Sequence, residues 1–173
     1  MSRYQEQKKT KPPIEALAEA LLPEALKADL LDFVSFLREN RMSPQWGSTH
    51  SYNLSCKNRR VCIIKIAENQ YQLWLNTQYN EDFNECLGGE DEKAKQYLRN
   101  HITYCFGCGT CKPGWDGDIL GTEIKGACFN PVIRMVNPEK WQLELARKLV
   151  LLRKKAICEG KAPRVTYIAA SKR

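Results

Sequence analysis

Apolar positions near the start of the chain recur at helical spacing. Ile14, Leu17, Ala18 and Leu21 form one stripe, and Leu26, Leu30, Phe33, Val34 and Leu37 form a second, a period that lines one face of an α-helix. Pro23 stands between them and fits the first turn of the second helix, where its missing N–H breaks no intrahelical bond. The period then switches. Met42-Ser43-Pro44-Gln45-Trp46-Gly47 breaks the helix, and residues 51–57, 61–68 and 71–78 read as strands joined by turns at Asn58-Arg59-Arg60 and Asn69-Gln70. These three runs predict an antiparallel meander. In the second run Cys62, Ile64 and Ile66 share one face while Val61, Ile63 and Lys65 share the other, so the strand is predicted to be central. Trp74, in the third run, needs cover, which a helix packed on the sheet would supply.

Residues 80–89 are polar, and Glu90-Asp91-Glu92 then opens a helix with carboxylates in its first turn, where the helix dipole favours them. That helix is predicted to reach about His101, with Tyr97, Leu98 and Ile102 as its apolar stripe. Lys112-Pro113-Gly114-Trp115-Asp116-Gly117-Asp118 is turn-rich, and residues 119–128 predict a small hairpin about Gly121. Asn137-Pro138-Glu139 starts a last helix carrying Trp141, Leu145, Leu149, Leu152 and Ala156 on one side. The expected fold is α+β. N-terminal helices pack on an antiparallel meander sheet, with a small Cys-rich metal-binding module and a C-terminal helix appended. The segments are a disordered basic arm (1–13), an α+β domain (14–104), a cysteine-cluster module (105–136), a closing helix (137–159) and a basic tail (160–173) with a β-prone piece at 164–168.

The chain has 173 residues, 43% of them hydrophobic, enough for a core of its own. No stretch approaches the roughly 18 consecutive apolar residues of a membrane span, and MSRYQEQKKTKPP lacks the apolar centre of a secretory signal. A cytoplasmic location is therefore expected, where the eight cysteines would stay reduced as thiols or metal ligands. Charge is uneven along the chain. Four Lys/Arg against Glu6 leave +3 on residues 1–13, nine Lys/Arg against Glu159 leave +8 on residues 147–173, and residues 14–146 keep −4. The basic ends are candidate phosphate binders, whereas an acidic body argues against a nucleic-acid groove built into the fold.

The candidate chemistry is concentrated in Cys105-Phe106-Gly107-Cys108-Gly109-Thr110-Cys111, with Cys128 beyond a sixteen-residue spacer. Glycine lets the backbone turn tightly enough for neighbouring thiolates to face one centre. Cys105, Cys108, Cys111 and Cys128 would form a four-thiolate zinc site, a closed shell that leaves no position for a reacting water. Cys86 or His101 is the alternative fourth ligand to Cys111. The same Cys-x-x-Cys-x-x-Cys run also suits three corners of an iron–sulfur cluster, and reduced thiols without metal are the remaining reading. Cys56, Cys62 and Cys86 need no role beyond small buried apolar groups.

No phosphate loop, nucleophile elbow or histidine-pair metalloprotease motif is present. His50 is expected in a loop at a strand entrance, and Asp116 and Asp118 are expected to bond their own backbone. Each tryptophan reads as a packing residue. These features point away from an enzyme and toward a zinc-stabilised binding or interaction protein. An iron–sulfur or iron-handling redox protein is one alternative, and a nucleic-acid binder acting through its basic termini is the other.

The helix followed by the Pro-x-Trp-Gly turn and the strands YNLSCK, VCIIKIAE and YQLWLNT resembles the small bacterial α+β domains of the YdhG/YjbR type. Those share a frataxin-like arrangement of helices and antiparallel sheet. The resemblance spans roughly residues 20–104 and implies that fold. Some members of the group are regarded as iron chaperones, but Asp29, Asp32 and Glu39 do not make the dense acidic ridge that role requires, so it is not carried over. The cysteine module is an addition that the resemblance leaves unexplained.

Overall fold

The computed structural model describes residues 3–105 and 114–162. It is an α+β fold of two sheets and six helices among those residues, in the order α1 (Arg3–Thr10), α2 (Ile14–Leu21), α3 (Glu24–Glu39), β1 (Gln45–Ser48), β2 (Ser51–Cys56), β3 (Arg59–Ala67), β4 (Gln70–Asn76), α4 (Glu81–Leu87), α5 (Glu92–Asn100), β5 (Trp115–Ile119), β6 (Thr122–Ala127), β7 (Val132–Val136) and α6 (Lys140–Cys158). The larger sheet is antiparallel throughout with strand order β1-β2-β3-β4-β7, which makes β3 its central strand as its two-sided apolar pattern predicts. Strands β5 and β6 form a separate hairpin.

Alternation along the strands decides which face is core. Tyr52, Leu54, Cys62, Ile64, Ile66, Tyr71, Leu73, Leu75, Ile133 and Met135 are all buried and belong to one core with Leu30, Phe33, Val34 and Leu37 of α3 and Leu145, Leu149 and Leu152 of α6. Between Leu54 and Ser55 the pairing with β3 slips, and Val61 and Cys62 are both buried there. A bulge of this kind puts two successive side chains on the same side. Helix α6 is buried along more than one stripe because it meets the sheet, α3 and α4.

Four local structures differ from the sequence expectation. Residues expected to be an arm include helix α1, whose Gln7 is buried and accepts a hydrogen bond from the His50 backbone N–H at 3.0 Å through its side-chain oxygen. The polar stretch at 80–89 contains α4, started by Asn80, whose side chain accepts from the Phe83 N–H, and held by buried Phe83 and Leu87 one turn apart. Trp74 is not covered by a helix. It lies on the face of the sheet opposite the helices, beside Lys65 of β3 and Arg134 of β7. Pro23 sits one residue outside the helix it precedes, at the N-cap, and the tail from 163 onward lies outside the described residues.

Candidate functional site

The cysteine module is assembled on backbone ladders. Tyr104 and Ala127 form an antiparallel bridge, the Cys105 N–H donates to the Gly126 carbonyl at 2.7 Å, and the Cys128 N–H donates to the Thr103 carbonyl at 2.8 Å. In that register Cys105 lies opposite Gly126 and Cys128 opposite Thr103. The two cysteines are therefore diagonal neighbours on one face of the ladder, within the roughly 7–8 Å that separates diagonal pairs. Cys108 and Cys111 lie outside the described residues.

Two glycines make this approach possible. Gly126 has φ 72°, and Gly114 has φ 108° with its backbone so close to Gly126 that a Cβ would meet the Gly126 Cα at 2.9 Å. The hairpin itself turns through Leu120 and Gly121, both at positive φ, and the Asp118 side chain accepts from the Gly121 N–H at 2.9 Å. Asp116 likewise accepts from the Gly126 N–H at 2.6 Å. Asp118 thus bonds the backbone of its own turn, as expected, whereas Asp116 bonds across the hairpin to the partner strand. The Asn84 side chain docks the hairpin onto α4 by donating to the Asp118 carbonyl at 2.8 Å and accepting from the Leu120 N–H at 2.9 Å.

Around this ladder the electrostatics are those of a closed, largely apolar support. Tyr79 packs near Trp115, its hydroxyl accepts from the Thr103 N–H, and its acidity is weakened to a pKa of about 12, chiefly by burial, with the nearby charges of Cys128 and Tyr104 adding to the shift. His101 caps α5, where its Nδ1 contacts the Tyr97 carbonyl at 2.8 Å and its ring packs on Tyr97 with centroids 4.2 Å apart. Cys86 sits exposed on α4. Among the described residues no three His, Cys, Asp or Glu side chains gather as a metal-holding group, so neither Cys86 nor His101 joins Cys105 and Cys128 there.

Other chemistry was hidden from sequence inspection. Cys56 at the end of β2 and Cys158 at the end of α6 bring their sulfurs to 3.9 Å across 102 positions of chain. Burial and then the neighbouring Cys158 push the Cys56 thiol up. Arg153 of α6 is buried, donating to the Gln78 side chain at 2.9 Å, the Thr77 carbonyl at 3.3 Å and the Asn130 side chain at 2.9 Å. Nothing in a local pattern announces such long-range meetings. Lys65 and Arg134 were more accessible to reasoning, because each stands on the outward phase of an otherwise apolar strand.

Near the start of β2 a cleft of about 260 Å³ opens, lined by Thr49, His50, Ser51, Lys65, Gln70 and Gln72 among others. His50 is held in its wall at φ 55° by the backbone bond to Gln7. No helix of the described residues is long and apolar enough to cross a membrane. No protein-family model, no curated protein and no solved structure matches this chain.

Proposed function

We propose that this chain is a non-enzymatic cytoplasmic binding protein whose cysteine module is stapled by zinc. The observation that supports the reading is the placement of Cys105 and Cys128 on one face of a short ladder, fixed by backbone hydrogen bonds on either side of Tyr104 and Ala127. Tetrahedral zinc with sulfur at about 2.3 Å needs thiolates roughly 3.8 Å apart, and side-chain rotation at diagonal positions reaches that spacing. Cys108 and Cys111, between them in sequence, would supply the remaining thiolates. Kinship with the YdhG/YjbR-type domains stays a proposal about fold, supported by the order from α3 through β4, and carries no iron-donor role.

The test is thermal melting of the full chain with and without a strong chelator, beside Cys128→Ser. A structural zinc site predicts a loss on the order of 10 °C in both, since metal binding contributes directly to folding. Unchanged melting in both contradicts it. A visible absorption band in anaerobically purified protein would replace zinc by the iron–sulfur reading.

A further inference from the structure

Among the described residues, the sheet has helices on one face only. On the other, Ile63, Lys65, Gln72 and Trp74 are half-buried while Arg134 and Val136 are exposed. The five strands of this sheet contain Arg59, Arg60, Lys65 and Arg134 and not one Asp or Glu. The acidic residues of the body lie instead on its helices, its loops and the β5–β6 hairpin, so net charge does not describe this face.

The cations on this face are held in place. Lys65 Nζ sits 3.6 Å from the centre of the Trp74 ring and Arg134 Cζ sits 4.1 Å from it, each within the range of a cation–π contact. The Trp74 indole N–H donates to the Gln72 side-chain oxygen at 2.9 Å, which fixes the ring and leaves the amide nitrogen of Gln72 available as a donor. Ordering two long side chains in advance lowers the entropy cost of using them on a ligand. Lys65 and Gln72 also line the 260 Å³ cleft, with His50 in its wall. Beside that cleft lies α1, tied to His50 through Gln7, with Lys8 and Lys9 exposed on it and Lys11 exposed just after it.

We infer that this open face is a binding surface for single-stranded nucleic acid, running from α1 past the cleft and across Lys65, Trp74 and Arg134. An extended strand suits the components: spaced cations for the phosphates, a polar cleft with an imidazole wall for one unstacked base, and amide donors for base edges. Duplex DNA suits them less, because no helix or ribbon of the described residues projects from the face to enter a groove. The inference deepens the reading of this chain as a binding protein and is independent of zinc.

The test is fluorescence anisotropy of the full-length protein with labelled oligo(dT) and oligo(rU) at 50 and 200 mM salt, alongside vesicles containing anionic lipid. The expected result is salt-dependent binding with a log–log slope near −2, as for about three single-strand phosphate contacts. Lys65→Glu with Arg134→Glu should weaken binding about tenfold or more at low salt and flatten the slope. Lys65→Gln with Arg134→Gln serves as the milder variant if circular dichroism shows the reversal to be misfolded. Neutralising Arg164, Lys172 and Arg173 should change affinity less than twofold. No oligonucleotide binding at 50 mM salt, binding unaltered by the sheet variants, binding abolished by the tail variant, or binding to vesicles alone would each overturn the inference. Chelator treatment that lowers melting while oligonucleotide binding persists separates this surface from the zinc reading.

Discussion

At the scale of single residues, the cysteines sort by environment rather than by spacing. Cys62 is fully buried in β3, and loss of solvation pushes its thiol far above the ordinary range. Cys86 is exposed and raised by burial of its sulfur, with Lys148 nearby acting in the opposite direction. Since the thiolate is the reactive form, iodoacetamide at pH 8 should label Cys86 and Cys158 in the native protein and leave Cys62 untouched until denaturant is added. Peptide mass spectrometry reads this directly, and native labelling of Cys62 at the rate of Cys86 would mean that β3 is not the sealed central strand. Cys62 is the small buried apolar group that the sequence predicts, whereas Cys86, the alternative fourth ligand to Cys111, is exposed on α4 rather than buried. The contact of Cys56 with Cys158 was not legible, because nothing within either segment refers to the other.

At the scale of elements, periodicity exposed what local burial dictates. The stripes of α2, α3 and α6 and the alternation of β2, β3 and β4 could be read because one face of each is apolar. Strands β1 and β7 were missed for a physical reason: each is short and gains its identity from a partner. Val132–Val136 becomes a strand by pairing with β4, some sixty residues earlier. The two Asn137 bonds to the backbone of Tyr71 extend that pairing, its N–H donating at 3.0 Å and its side-chain oxygen accepting at 2.8 Å. Helix α4 escaped notice since its apolar content is little more than Phe83 and Leu87 in a polar stretch. Arg153 ties α6 to the segments after β4 and before β7, and its removal would strand two buried acceptors, at Thr77 and Gln78, and a half-buried one at Asn130. Arg153→Ala should therefore cost about 3 kcal/mol or more of stability in urea unfolding. A loss below about 1 kcal/mol would mean that these groups are met by water instead.

At the scale of the whole molecule, burial of tyrosines ties stability to alkaline pH. Burial raises Tyr52 and Tyr79 to about 12, and raises Tyr71 further still. The unfolded value is near 10, so above pH 10 the unfolded chain has shed protons that the folded chain retains. Stability contributed by these groups is complete below pH 10 and is lost as pH rises toward 12. The urea midpoint should hold between pH 8 and 9.5 and fall steeply above pH 10, with Tyr52→Phe making the fall shallower. A midpoint that is flat to pH 11 would show these hydroxyls to be solvated.

The cysteine module is the part of the molecule on which the functional account turns. Its hairpin buries Ile119, Leu120, Ile124 and Ala127, a small apolar contribution for a unit that must hold Cys105 and Cys128 beside α4 and α5. Elemental analysis of freshly purified, full-length protein tests the zinc staple most directly. About one zinc per chain is predicted, falling to a small fraction in Cys105→Ser and Cys128→Ser. Neither zinc nor iron at near-stoichiometric occupancy would contradict the account.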